Sequence, residues 1–148
     1  MTKEQKIKAL ETAMTQSERD GNKDDTFYHF LDNAPEELKD LYLEHYNVRD
    51  LDYQIFSEAC DLVSECYHDN DANNDGANFV EDMIYERASD KASVYTADRL
   101  AYLSMHNEDE VSEIMREYSE PSIATACAIW YDKQVEQASI IIHQWINA

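Results

Sequence analysis

Glycine and proline are almost missing from this chain, with two of each in 148 residues. Loops that cradle phosphate or a dinucleotide need several glycines in a short span, so those nucleotide-binding devices are excluded. A strand-rich fold with a tight turn every few residues is equally poorly served. Basic residues are missing over a long stretch. Between Arg49 and Arg87 run 37 residues with no Lys or Arg and with eleven carboxylates: Asp50, Asp52, Glu58, Asp61, Glu65, Asp69, Asp71, Asp75, Glu81, Asp82 and Glu86. Affinity for phosphate comes from Lys and Arg displacing counterions, which argues against direct contact with nucleic acid. An anionic membrane surface repels such a chain in the same way. Cysteine is scarce and odd in number, Cys60, Cys66 and Cys127. These read as buried thiols of a reducing cytosol, not as a disulfide framework. No segment approaches the roughly 18 apolar residues of a membrane span. Met1 to Lys6 lacks the apolar stretch of a signal peptide, so cytoplasm is the expected compartment.

Catalytic signatures are missing too. There is no Gly-x-Ser-x-Gly elbow and no Cys-His signature, and with 32 acids in the chain some carboxylates lie close together in any fold, so such a pair carries no information. The expectation is a protein that is not an enzyme.

What the chain does have is core material and negative charge. Ten Tyr, two Trp and a 43% hydrophobic fraction are too much for a disordered acidic tail, so the chain is expected to fold. Residues 1–148 read as a single acidic helical domain. The net charge is −20, of which residues 51–148 hold −15. Like charge on a compact body opposes folding and favours only solubility and steering, so the cause is sought in a basic partner. Solvated charged faces without a partner are the bland alternative, in which the chain is a generic acidic structural or interaction protein.

Apolar residues recur at three and four positions, which predicts helix almost throughout. The expected fold is all-α, a compact bundle of seven or eight helices with a long C-terminal helix. Thr2 and Gln5 form a capping box for a helix over 3–19 with Ile7, Leu10 and Met14 inward. A short helical turn over 26–31 follows, and Pro35 takes the first position of the next helix, with Leu38, Leu41 and Tyr42 buried. The clearest helix spans 51–67, with Ile55, Phe56, Ala59, Leu62, Val63, Cys66 and Tyr67 on one face. A polar loop is expected over 68–76, then helices over 78–88 and 93–106. A short acidic helix capped by Asn107 buries Val111, Ile114, Met115 and Tyr118. The longest helix opens at Ser119-Glu120-Pro121 and runs to Asn147 with Ile123, Cys127, Trp130, Tyr131, Ala138, Ile141, Ile142 and Trp145 inward. It is the expected centre of the scaffold.

One stretch, Asp71 to Asp82, resembles an EF-hand calcium loop. Asp71, Asn73 and Asp75 stand at positions one, three and five, Gly76 at six and Asp82 at twelve. The resemblance implies calcium or magnesium on Asp71, Asn73, Asp75 and Asp82. The departures are Asn78 at position eight, the short Asp82 at twelve, Asn70 before the loop and the lack of a second loop. A solvated turn rich in Asp and Asn is the competing reading. Cys66, His68 and Asp69 are adjacent but too few for a zinc site, and His29, His45, His106 and His143 are spread over different helices.

The acidic rows carry the functional expectation. Glu58, Asp61 and Glu65 recur three and four apart, so a helix spaces them by roughly 4.5 to 6 Å of rise on one face. Phosphates along a DNA strand are spaced on the same order, with about 3.4 Å of rise per base before winding. Asp69 extends this row, and Glu108, Asp109, Glu110 and Glu113 form a second cluster. These eight are the expected partner-binding residues.

In size, acidity, helicity and lack of catalytic motif, the chain resembles the small proteins that bacteriophages and mobile elements direct against host defence, including restriction and CRISPR systems. The resemblance rests on composition and not on a shared motif. It implies an inhibitor acting by occupancy, whose carboxylates meet the Lys and Arg of a DNA-binding or defence protein, by DNA mimicry or by another interface. The C-terminal helix adds a route to a homodimer, because Ile140, Ile141, Ile142, Trp145 and Ile146 make its end apolar nearly all round. Either the core or a second copy covers that end.

Overall fold

The computed structural model describes residues 1–20, 32–45, 50–73, 78–91, 108–118 and 122–148. Among these the secondary structure is entirely helical, in six helices. They are α1 (Lys3–Asp20), α2 (Glu36–His45), α3 (Asp50–Asn73), α4 (Asn78–Lys91), α5 (Glu108–Tyr118) and α6 (Ile123–Asn147). The helices expected over 26–31 and 93–106 lie outside the described residues.

The capping box forms as the sequence requires. Gln5 N donates to Thr2 Oγ1 at 3.2 Å, and Thr2 N donates back to Gln5 Oε1 at 2.8 Å, so two otherwise orphaned amides open α1. Pro35 sits one position earlier than expected. Its carbonyl accepts from Lys39 N at 3.2 Å and from Leu38 N at 2.9 Å, which makes it the cap of α2, where its lack of an N–H is harmless. Ser122 caps α6 from extended backbone and accepts from Thr125 N.

α6 is the centre. It packs against α1, α3, α4 and α5, and its most extensive contact is with α3. Both helices are deeply embedded: Ile55, Phe56, Ala59, Cys60, Leu62, Val63, Cys66 and Tyr67 of α3 are buried, as are Ala126, Cys127, Trp130, Tyr131, Val135, Ala138, Ile142 and Ile146 of α6. The seven positions expected on the inner face of α3 are all buried. Ile123 is not, because it opens α6 at the surface with 54% of its area exposed.

Two expectations change. α3 runs six residues beyond Tyr67, to Asn73, through what reads as a polar loop. No Gly or Pro stands before Gly76 to stop it, Asn70 continues the buried stripe one turn past Cys66 and Tyr67, and Asp69 is held by Arg87 of α4 at 2.5 Å. Tertiary contact there outweighs local polarity. The second change concerns the apolar end of α6. Ile142 and Ile146 are buried, Ile140 and Trp145 pack against the core, and α1 lies across this end. Lys6 of α1 donates from Nζ to the Trp145 carbonyl at 2.8 Å while its ammonium stands 5.1 Å from the centre of the indole ring. The core and α1 thus take Ile142 and Ile146, and Ile140, Ile141 and Trp145 are partly buried.

Candidate functional site

The arrangement of α3 decides what it can show to a partner. At 100° per residue, its nine buried residues from Ile55 to Asn70, Ser57 apart, fall within an arc of about 160°. Glu58, Asp61, Glu65 and Asp69 fall within a different arc of about 80°, and Glu65 is exposed while the other three are half-buried. The strip that α3 leaves to solvent is thus filled by the predicted row, with His68 exposed along its edge. Like charges at this spacing each cost a helix roughly 0.2 to 0.5 kcal/mol.

The row is not uniform. Arg87 reaches over from α4 and pairs with Asp69, with Arg87 and Asp69 side chains 31% and 44% exposed. The bond to Asp69 pushes the guanidinium pKa up, and the fields of Cys66, Asp69 and Glu65 add to it. The lower end of the row is therefore partly neutralised, and Asp69 acts first as a link between α3 and α4. Glu58, Asp61 and Glu65 form the rest of the row, with Glu65 its most exposed member.

A neighbouring face belongs to α4. Val80, Ile84 and Ala88 point inward, and Glu81, Asp82, Tyr85 and Glu86 are exposed. α5 supplies the third face. Val111 and Ile114 are buried, whereas Glu108, Asp109, Glu110, Glu113 and Glu117 are exposed along with Arg116. The three acids of the first turn are favourably placed at the positive end of the helix dipole.

Glu110 has a structural role that sequence reasoning missed. Trp130 of α6, 5% exposed, donates its indole N–H to Glu110 Oε2. A buried indole N–H seeks a partner, and that need, visible in the Trp130 of the sequence, is the signal that could have found it. Glu110→Ala is expected to lower stability by about 1 to 2 kcal/mol, by leaving the indole N–H without its acceptor. Urea denaturation checks the loss, and a shift in tryptophan emission locates it. An unchanged midpoint would leave Glu110 as a surface charge only.

The EF-hand-like stretch is divided. Asp71 and Asn73 lie in the last turn of α3, so the first three positions of the match are helical, and Asn78 at position eight already opens α4. Asp75 and Gly76 lie outside the described residues, and Asp82 is exposed on α4. Among the described residues no three His, Cys, Asp or Glu side chains gather as metal ligands. Cys66 is buried and His68 exposed, so those neighbours face apart.

The thiols are core residues. Burial pushes the Cys60 thiol well up, and the charge of Asp61 adds to the effect, which is the opposite of an activated nucleophile. An open cleft of about 480 Å³ lies between α1 and the turn before α2, lined by Met1, Gln5, Lys8, Ala9, Thr12, Asn33 and Pro35. It brings no carboxylate and no histidine together. No helix among the described residues is long and apolar enough to cross a membrane. No family model, no curated protein and no solved structure matches this chain.

Proposed function

We propose that this protein is a non-enzymatic inhibitor that binds and blocks a basic protein of the host, one that handles DNA or defends against phage. The observation that carries the reading is the solvent strip of α3, where Glu58, Asp61 and Glu65 stand in one narrow arc on a helix otherwise sunk in the core. A helix held that firmly keeps its carboxylates in register, so a partner groove that follows DNA phosphates meets a preformed row of charge and not a flexible acidic tail. The acids of α4 and α5 extend the field that steers a basic partner inward.

On this reading the site of action is the cytoplasm of the host cell, and the scaffold is one domain of seven or eight helices. A homodimer through the C-terminal helix remains part of the reading, since Ile140, Ile141 and Trp145 are only partly buried.

The double variant Asp61→Lys, Glu65→Lys tests the reading. Both positions are away from the buried arc, so the helical circular dichroism should stay that of a folded chain, and the urea midpoint records what the change at Glu65 costs the nearby Arg87 pair. Binding to a basic partner recovered from host lysate at low salt should fall by at least roughly 100-fold, because two contact charges reverse and the local steering field weakens with them. DNA bound by that partner should be displaced by the parent and not by the variant. Undiminished displacement by the folded variant would remove α3 from the binding surface.

A further inference from the structure

Where α1 meets the end of α6, a polar cluster links three helices. Tyr67 of α3 lies at its centre, almost fully buried, with its hydroxyl 2.8 Å from His143 Nδ1 of α6. Asn147 Nδ2 donates to the Tyr67 hydroxyl at 2.9 Å and to the His143 carbonyl at 2.9 Å, so both protons of that amide are occupied. With the ring neutral and its hydrogen on Nε2, the Tyr67 oxygen accepts from Asn147 and the hydroxyl proton goes to His143 Nδ1. Lys3 of α1 stands over the Tyr67 ring, 5.2 Å from the centroid, and forms no ion pair among the described residues. The Tyr67 and His143 rings are 5.6 Å apart, so a charge on His143 shares one aromatic side chain with the Lys3 ammonium.

We propose that this cluster is a proton-operated latch: proton uptake at His143 Nδ1 releases the first turns of α1 from the end of α6 while α3, α4 and α6 stay packed. The proton comes from solvent and converts Nδ1 from acceptor to donor. Tyr67 must then turn its own hydrogen away from the ring, and the new positive charge faces Lys3. Three influences bear on the step: burial of the ring opposes it most, Glu81 of α4 favours it, and Lys3 of α1 opposes it. Burial dominates, and the His143 pKa lies below its ordinary value. Once Lys3 lifts and the Lys6 contact with Trp145 opens with it, α1 is still held farther along by Leu10 and Ala13, which are buried. The opening is therefore confined to the first turns.

The sign follows from linkage. A histidine whose folded pKa is lowered binds more protons unfolded or released than docked. The docked form is favoured above the ordinary histidine value of 6.5 and loses ground as pH falls through 6.5 toward the lower docked value.

Amide hydrogen exchange of the full chain, corrected for intrinsic rates, tests the latch. Between about pH 7.5 and 5.5, protection at Lys6 to Leu10 should fall, by at most roughly tenfold for one histidine, and the α3 and α6 amides should hold theirs. In His143→Gln, which can accept from Tyr67 but cannot titrate, the α1 amides should show no such fall. In Lys3→Met, the His143 ring resonances should titrate at a higher pH than in the parent. Constant α1 protection in the parent, the same fall in His143→Gln, or an unmoved His143 titration in Lys3→Met would each overturn the proposal.

Discussion

Replacing Phe56 with Ala should remove about 3 to 5 kcal/mol of stability, the range for deleting a large buried aromatic. Phe56 is 1% exposed on α3, in the main cluster that joins α3 to α6. The loss combines the transfer of the ring out of water with the cavity that stays behind, since helices fixed on several sides collapse poorly into it. A domain of this size is held by roughly 5 to 15 kcal/mol, so the variant should stand near the edge of folding. Its urea midpoint, read by helical circular dichroism, should drop steeply with the slope unchanged. A loss under about 1 kcal/mol would mean that the α3 and α6 contact is not the main source of stability. Raising salt should partly restore the variant, because screening relieves the repulsion among excess carboxylates.

Lys6→Met should cost about 1.5 to 3 kcal/mol, the range for a hydrogen bond made by a charged group. Lys6 is only 7% exposed, and its ammonium caps the Trp145 carbonyl at the negative end of the α6 dipole while resting on the indole. Methionine keeps most of the aliphatic stem, so the loss reports the head group and not packing. The ammonium bonds to a carbonyl and a ring face and not to a surface carboxylate. The cost should therefore persist at about 0.5 M salt, where exposed ion pairs are largely screened. Urea denaturation at both ionic strengths checks this. A difference that vanishes at high salt would mark Lys6 as an ordinary member of the surface charge pattern.

Much of the helical plan was legible. The Thr2 and Gln5 box, the inner face of α3 and the apolar stripes of α4 and α5 follow from spacing alone, because each rests on local geometry or on period 3.6. The tail of α3 was not legible. Residues 68–73 are polar, and what their spacing does not show is the pairing of Asp69 with Arg87 of α4, a contact with another element. In α6, Ile123 and the buried Val135 and Ile146 show the same limit, since a long helix with apolar residues on most sides does not reveal which side its neighbours take.

The candidate surface divides in the same way. The row of Glu58, Asp61 and Glu65 could be drawn from the spacing. That Asp69 is shared with Arg87 and that Glu110 receives the Trp130 indole could not, because residues 18 and 20 apart in sequence meet only after the fold brings them together. The same holds for Tyr67, His143 and Asn147. His143 reads as one lone histidine among several until α3 and α6 are placed side by side.

The order in which the helices leave the ribosome follows from the position of α6. It is the shared neighbour of α1, α3, α4 and α5, yet it follows all of them in the chain. Synthesis thus releases four segments with apolar stripes before the element they share, so their packing around α6 awaits its synthesis. During that interval the surplus of carboxylates acts as a built-in dispersant, keeping half-made copies from sticking to one another.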